Sequence, residues 1–183
     1  MDISSNESNE IGRPVDKIYL WGMMGVGKTK TAKQLAKKMG WQFVDTDEHI
    51  EGECGKKISQ IFAEDGEHTF RKMERKAIEQ LSKQSQVVIS TGGGLPCFFD
   101  NSRLMKENGL TIWLDGSINF LTSRLIESKQ NRPLLSNIES KQELRDALIR
   151  TYKERLAYYQ QAHWKVDALN LNLHLIVQKL NLM

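Results

Sequence analysis

An α/β fold, with a parallel sheet covered by helices on both faces, is what this sequence predicts, on three observations. Short apolar runs alternate with longer helical patterns along the chain. The runs are apolar throughout rather than every second residue, as strands buried on both faces require. A glycine-rich turn joins the first run directly to the first helical pattern, the junction of a strand–loop–helix unit.

The elements follow in order. Residues 18–21 (Ile-Tyr-Leu-Trp) form the first run. Ala32, Leu35, Ala36 and Met39 then recur at i, i+3, i+4 and i+7, with Gly40 where a helix stops. Residues 41–44 read as a second strand, ending at Asp45-Thr46-Asp47. Helical segments are expected near 47–54, 58–64 and 67–84, the last with Phe70, Met73, Ala77, Ile78 and Leu81 on one side. Residues 87–90 are a third strand that breaks at Gly92-Gly93-Gly94. A helix near 100–107, a strand at 110–114 and a helix to about 127 come next. Residues 128–142 are polar and aperiodic, which predicts a surface loop or a lid. A helix over about 140–161, a strand near 165–167 and a last helix close the chain. Residues 1–16 lack apolar periodicity and predict a flexible tail ahead of one domain, 17–183.

Composition bounds the function. A chain of 183 residues is long enough for a substantial core. The net charge of +3 and the scattered lysines give no basic stripe for nucleic acid. No apolar stretch approaches the roughly 20 residues of a membrane span. The polar, acidic N-terminus is not a secretory signal. Cys54 and Cys97 lack metal-ligand spacing and predict two free thiols in a reducing compartment. The expectation is a cytoplasmic, monomeric protein without nucleic-acid or membrane partners.

The chemistry starts at residues 22–29, Gly-Met-Met-Gly-Val-Gly-Lys-Thr, a G-x-x-x-x-G-K-[ST] phosphate loop between a strand and a helix. Its glycines let backbone N–H groups turn inward around an anion, and the helix behind adds its positive end. Gly25, Val26, Gly27, Lys28, Thr29 and Lys30 are assigned to a nucleoside triphosphate. Lys28 reaches the β- and γ-phosphates, and the Thr29 hydroxyl holds Mg2+. The γ-phosphate needs an acceptor, and open α/β sheets bind ligands beyond the carboxyl ends of their strands.

Asp45 and Asp47 sit at such an end, and strand alternation would send both to one side with Thr46 opposite. One would contact Mg2+ through water and the other would take a hydrogen bond from a substrate hydroxyl; alternatively, Asp47 is a helix N-cap. The Gly92–Gly94 turn either admits a ligand close to the backbone or is only flexible. Arg71, with Glu74 at i+3 to steady it, Arg132 and Arg155 are surface charges unless they converge on one pocket.

Taken together, these pieces resemble the shikimate kinase family. The matching segments are residues 22–29, 43–51 (Phe-Val-Asp-Thr-Asp-Glu-His-Ile-Glu), 61–67 leading to Phe70-Arg71-Lys72-Met73-Glu74, then Ser90-Thr91-Gly92-Gly93-Gly94 and Arg132-Pro133-Leu134-Leu135. The resemblance covers about 17–167. It implies a three-layer P-loop kinase fold, with a five-stranded parallel sheet flanked by helices and a mobile lid over 128–142. It implies ATP-dependent phosphorylation of the 3-hydroxyl of shikimate, a step toward aromatic amino acids, with Mg2+.

By the same resemblance, Asp47 binds shikimate hydroxyls and is a candidate base. Arg71, Gly92, Gly93, Gly94 and Arg155 bind its carboxylate and ring, and Phe62 and Phe70 form an apolar wall. Arg132 reaches the phosphates from the lid, Thr29 and Asp45 serve Mg2+, and Arg124 lies near the adenine. The chain departs from the family pattern at Lys30, Ala157 and Ala168, and Arg150 competes with Arg155 for the late-helix role. Two other readings stay open. A gluconate or nucleotide kinase is disfavoured by the glycine turn together with Arg71. A non-catalytic nucleotide-binding module is disfavoured by the intact set Lys28, Thr29, Asp45, Asp47, Arg71 and Arg132.

Overall fold

The computed structural model of the chain describes residues 4–5, 14–127 and 140–181. In chain order the strands are β1 (Ser4–Ser5), β2 (Lys17–Trp21), β3 (Gln42–Asp45), β4 (Val87–Ser90), β5 (Leu110–Asp115) and β6 (Trp164–Asp167). The helices are α1 (Lys28–Met39), α2 (Thr46–Cys54), α3 (Ile58–Glu64), α4 (Gly66–Leu81), α5 (Asn101–Asn108), α6 (Ile118–Glu127), α7 (Lys141–Tyr159) and α8 (Leu173–Asn181).

The sheet runs β1-β6-β5-β2-β4-β3. Strands β2 to β6 are mutually parallel, the five-stranded sheet the family resemblance implies. The structure adds β1 within the expected tail, its two residues pairing antiparallel with Trp164 and Lys165 at the β6 edge. A pair of serines carries no apolar signal, so only tertiary pairing identifies it. The remainder of the expected tail, apart from 14–16, lies outside the described residues.

Strands β2 and β4 are buried at every position and β5 at all but the last, which is why their sequences are continuously apolar. β2 lies at the centre, with β3 and β4 on one side and β5 and β6 on the other. The chain crosses β2 between β4 and β5, and the crevice opened by such a crossover is where α/β sheets bind ligands. The glycine loop follows β2 into that crevice.

Two apolar clusters hold the molecule. The main one joins β2, β4 and β5 to α1 through Leu35 and Ala36, to α4 through Ile78 and Leu81, and to Leu144 and Leu148 of α7. A smaller one consists of Ile50, Ile61, Phe70 and Ala77, with Ile58, Phe62 and Met73 packed against it. It joins α2, α3 and the start of α4 into a unit beside the crevice.

Caps set the helix ends. Gly40 adopts φ 66° and returns its N–H to the Ala36 and Lys37 carbonyls, ending α1. Ser140 and Glu143 form a reciprocal capping box at the start of α7, at 3.1 and 3.2 Å. Residues 140–142 therefore belong to α7 and its cap rather than to the expected lid. The rest of that segment, 128–139 with Arg132, lies outside the described residues. No helix among the described residues is long and apolar enough to cross a membrane. Cys54 and Cys97 are both free thiols.

Candidate active site

The phosphate loop is shaped by three glycines in left-handed torsions, Gly22 (φ 138°), Gly25 (φ 79°) and Gly27 (φ 108°). An L-residue would be strained at each. A Cβ on Gly22 would also lie 2.5 Å from the Leu114 carbonyl oxygen. Helix α1 begins at Lys28 and has no acidic residue in its first turn. Its positive end is thus left for an outside anion, whereas α2 carries Asp47 and Glu48 in its own first turn.

Lys28 is buried and donates to the Gly22 and Met23 carbonyls at 2.9 and 3.1 Å. Val26 departs from the rest of the loop. Its side chain is buried in the core and its N–H donates to the Met23 carbonyl. Arg124, from α6, donates to the Val26 carbonyl at 3.2 Å and lies over the Phe120 ring.

Strand β3 ends at Asp45, earlier than strand alternation through Asp47 requires. Asp45 is itself the N-cap of α2, accepting from the Asp47 N–H at 3.0 Å. Its other oxygen accepts from the Thr29 hydroxyl at 2.9 Å, and the Ser90 hydroxyl is 3.3 Å from Thr29. The helical turn, not strand alternation, carries Asp47 into the cleft. Thr46 is buried instead and accepts from the Gly92 N–H at 2.9 Å, tying α2 to the end of β4.

The glycine turn is the hub of the second half. A Cβ on Gly92 would lie 2.9 Å from both Asp47 Oδ1 and Glu74 Oε1. One on Gly93 would meet Arg155 Nη1 at 3.2 Å, and one on Gly94 would meet Arg71 Nη1 at 3.0 Å. These glycines do not have positive φ; they are small because four charged side chains close in on them. Tyr159 pins the turn, its hydroxyl donating to the Gly93 carbonyl at 2.6 Å.

Arg71 is held from α4 by Glu74 at 2.7 Å and by Glu67 at 2.8 and 3.1 Å. The rings of Phe62 and Phe70 stand 4.8 Å apart beside it. Arg155 reaches the cleft from α7, whereas Arg150 is exposed and does not line it.

Burial dominates the electrostatics. It pushes the Asp47 carboxyl up to about 6, helped by Asp45 and opposed by Lys28 and Arg71. Asp47 Oδ1 is buried without a hydrogen-bond partner among the described residues. Burial likewise pushes Glu74 up to about 7 against the pull of Arg71.

The resulting cleft, of about 590 Å3, is lined by Gly25, Gly27, Lys28, Thr29 and Lys30 on one side. Asp45, Asp47, Phe62, Phe70, Arg71, Glu74, Gly92, Gly93, Gly94 and Arg155 line the other, and Arg124 also borders it. A larger, open concavity of about 960 Å3 between α1 and the chain after β6 brings together no such set. Every expected site residue within the described chain except Val26 borders the one cleft. The structure adds to the expected set Glu74, Tyr159 and Phe98, whose ring lies 3.9 Å from the Arg71 guanidinium carbon. Only the i+3 spacing from Arg71 hinted at Glu74.

The family model for shikimate kinase matches residues 24–181. A shikimate kinase of Parabacteroides distasonis is 43% identical over 152 residues, 83% of this chain and 87% of the relative. The crystal structure of shikimate kinase from Bacteroides thetaiotaomicron matches with a TM-score of 0.84 at 37% identity, covering 91% of this chain and 97% of that one. The shikimate kinase of Acinetobacter baumannii, solved in complex with shikimate, matches with a TM-score of 0.77 at 33% identity, covering 91% of each chain. The match runs through both halves of the cleft and through the sheet that carries them, and the chain belongs to the shikimate kinase family.

Proposed function

We infer that this chain transfers the γ-phosphoryl group of ATP to the 3-hydroxyl of shikimate, releasing ADP and shikimate 3-phosphate. The observation that supports this best is the convergence of two arginines and two buried carboxyls on a glycine turn beside a phosphate loop. An acceptor that carries both a carboxylate and hydroxyls uses such a set. Guanidinium forks match a carboxylate in two places, and an unpartnered carboxylate oxygen accepts from a hydroxyl.

The donor is bound by the loop N–H groups and the open end of α1, with Lys28 to neutralise the β- and γ-phosphates. Arg124 stands beside the same loop, where the base of the nucleotide would pass. The donor set Thr29 Oγ1, Asp45 Oδ2 and Ser90 Oγ consists only of oxygens, as a hard divalent cation prefers. Thr29 and Asp45 would hold Mg2+, which when bound spreads the charge on the phosphates.

On the acceptor side, Arg71 and Arg155 bind the shikimate carboxylate, and Phe62 and Phe70 line the ring. Asp47 Oδ1 accepts the hydrogen bond of the reacting hydroxyl and fixes the direction of its attack. As the new O–P bond forms and the bond to ADP breaks, that proton leaves toward Asp47. Arg132, outside the described residues, is assigned by family resemblance to the transferring phosphoryl group.

The test is ADP release in the presence of ATP and Mg2+, with shikimate, gluconate or a nucleoside monophosphate as acceptor. Shikimate should support turnover and the others should not. Faster turnover on gluconate or a nucleotide would overturn the assignment.

A further inference from the structure

Arg71 has five N–H donors, and the structure accounts for three. Nε–H and one Nη2–H go to Glu67 Oε1, and one Nη1–H goes to Glu74 Oε2. One hydrogen on Nη1 and one on Nη2, the two terminal nitrogens of the fork, remain for a ligand. That pair matches the two oxygens of a carboxylate. The plane of the guanidinium therefore decides where an acceptor carboxylate can sit.

The ion pairs do not fix that plane by themselves. Glu67 is 57% exposed, and an exposed pair constrains little. Glu74 holds a single nitrogen, about which the group can still turn. The tightest ring contact comes from Phe98, whose ring centroid is 3.9 Å from Arg71 Cζ, against 5.4 Å for Phe70 and 6.0 Å for Phe62.

The chain holds Phe98 there from both sides. Before it, the short 3-10 turn Leu95–Cys97 follows directly on Gly94. After it, Phe99 takes a left-handed φ of 51° while 54% exposed, an unfavourable torsion for a bulky residue with little burial in return. Asp100 then pairs with Arg75, one helical turn beyond Arg71 on α4, and the Asn101 amide donates to the Leu95 carbonyl at 3.0 Å. Two successive turns of α4 thus grip the same loop, one through stacking and one through charge.

We propose that Phe98 is a positioning residue of the acceptor pocket, stacking on Arg71 so that its two remaining N–H groups face the substrate carboxylate. The proposal rests on the assignment of Arg71 to that carboxylate, and its test separates the two. Phe98→Leu keeps an apolar side chain but removes the π face; Phe98→Tyr keeps the face. Steady-state kinetics on both variants, on Arg71→Ala and on the Arg71→Ala/Phe98→Leu double variant give the answer.

Phe98→Leu should raise KM for shikimate about 5- to 20-fold, the range of a desolvated cation–π contact. KM for ATP and kcat should stay near wild type, and Phe98→Tyr should restore KM for shikimate. Phe98→Leu should add nothing in the Arg71→Ala background. Unchanged KM for shikimate in Phe98→Leu, an equal loss in Phe98→Tyr, a parallel rise in KM for ATP, or full additivity with Arg71→Ala would each overturn the proposal. Should Phe98→Leu fail to fold, Phe98→Met takes its place in the same comparison. If Arg71→Ala itself leaves KM for shikimate unchanged, the assignment of Arg71 fails; if Arg71→Ala raises it and Phe98→Leu does not, the role of Phe98 alone fails.

Discussion

The two halves of the cleft are built by different means. The donor half is backbone. Gly22, Gly25 and Gly27 set its torsions, β2 and α1 anchor it in the main core, and one lysine completes it. The acceptor half is side chains. Asp47, Arg71, Glu74 and Arg155 come from three helices and meet over a glycine turn, beside the small cluster of Ile50, Ile61, Phe70 and Ala77. A backbone site is a local property of consecutive residues. A side-chain site exists only once distant segments have folded together. The donor half should therefore fail through charge at one residue with its shape intact. The acceptor half should fail through geometry, at any of several residues.

The sharpest contrast is expected from Lys28→Ala. Removing one positioned charge-stabilising donor should lower kcat by roughly 100- to 1,000-fold. Because glycine torsions rather than Lys28 shape the loop, circular dichroism and the KM for shikimate should stay near wild type. A variant that keeps more than about a third of wild-type turnover would show that the donor half does not work through this charge.

Arg71→Ala is expected to have the next largest effect, on the other side of the comparison. It would remove the proposed charge-assisted contact with the acceptor and should weaken shikimate binding by about 1.5–3 kcal/mol. It also leaves Glu74 buried without its partner, which lowers stability as well. Titration calorimetry with shikimate and with an ATP analogue tests the division of labour. A loss that falls on the nucleotide instead would mean the two halves are not separable in this way.

The same difference explains how much of the molecule could be read from its sequence. β2, β4, β5 and α1 are legible because burial on both sheet faces, or on one helix face, writes itself into residue type at short range. The phosphate loop is legible because its torsions demand glycine at fixed spacing. Asp45 and Asp47 stand at the expected strand end, but a helical turn rather than strand alternation sets their geometry. A side-chain cap starts α2 at Thr46, and spacing alone does not distinguish that from two more strand residues. Gly92, Gly93 and Gly94 were visible as a turn, yet their reason, the four charged groups packed against them, is tertiary. Phe98 carried no signal at all, since nothing in its own segment announces an arginine on α4.

The smallest effect expected is on stability, and it also separates the halves. Asp47 is raised from 3.8 to about 6 in the folded protein, chiefly by burial. Between those values the folded state binds more protons than the unfolded state. Stability therefore falls as pH rises through that window, and the full cost is present above it. Glu74, raised from 4.5 to about 7, acts in the same direction. Asp47→Asn removes one of these costs, so at pH 8 the free variant should be more stable than wild type by roughly 1–2 kcal/mol, after discount for the part of the carboxyl that stays wet. Near pH 4 the gain should be gone, because wild-type Asp47 is then protonated in the folded state. Urea melts at the two pH values check this, and kcat should fall in the same variant, since the group that weakens the fold is the one proposed to take the hydrogen bond of the reacting hydroxyl. An Asp47→Asn protein no more stable than wild type at pH 8 would mean that the acceptor half holds its carboxylate without strain. The contrast with the donor half would then lie in geometry alone.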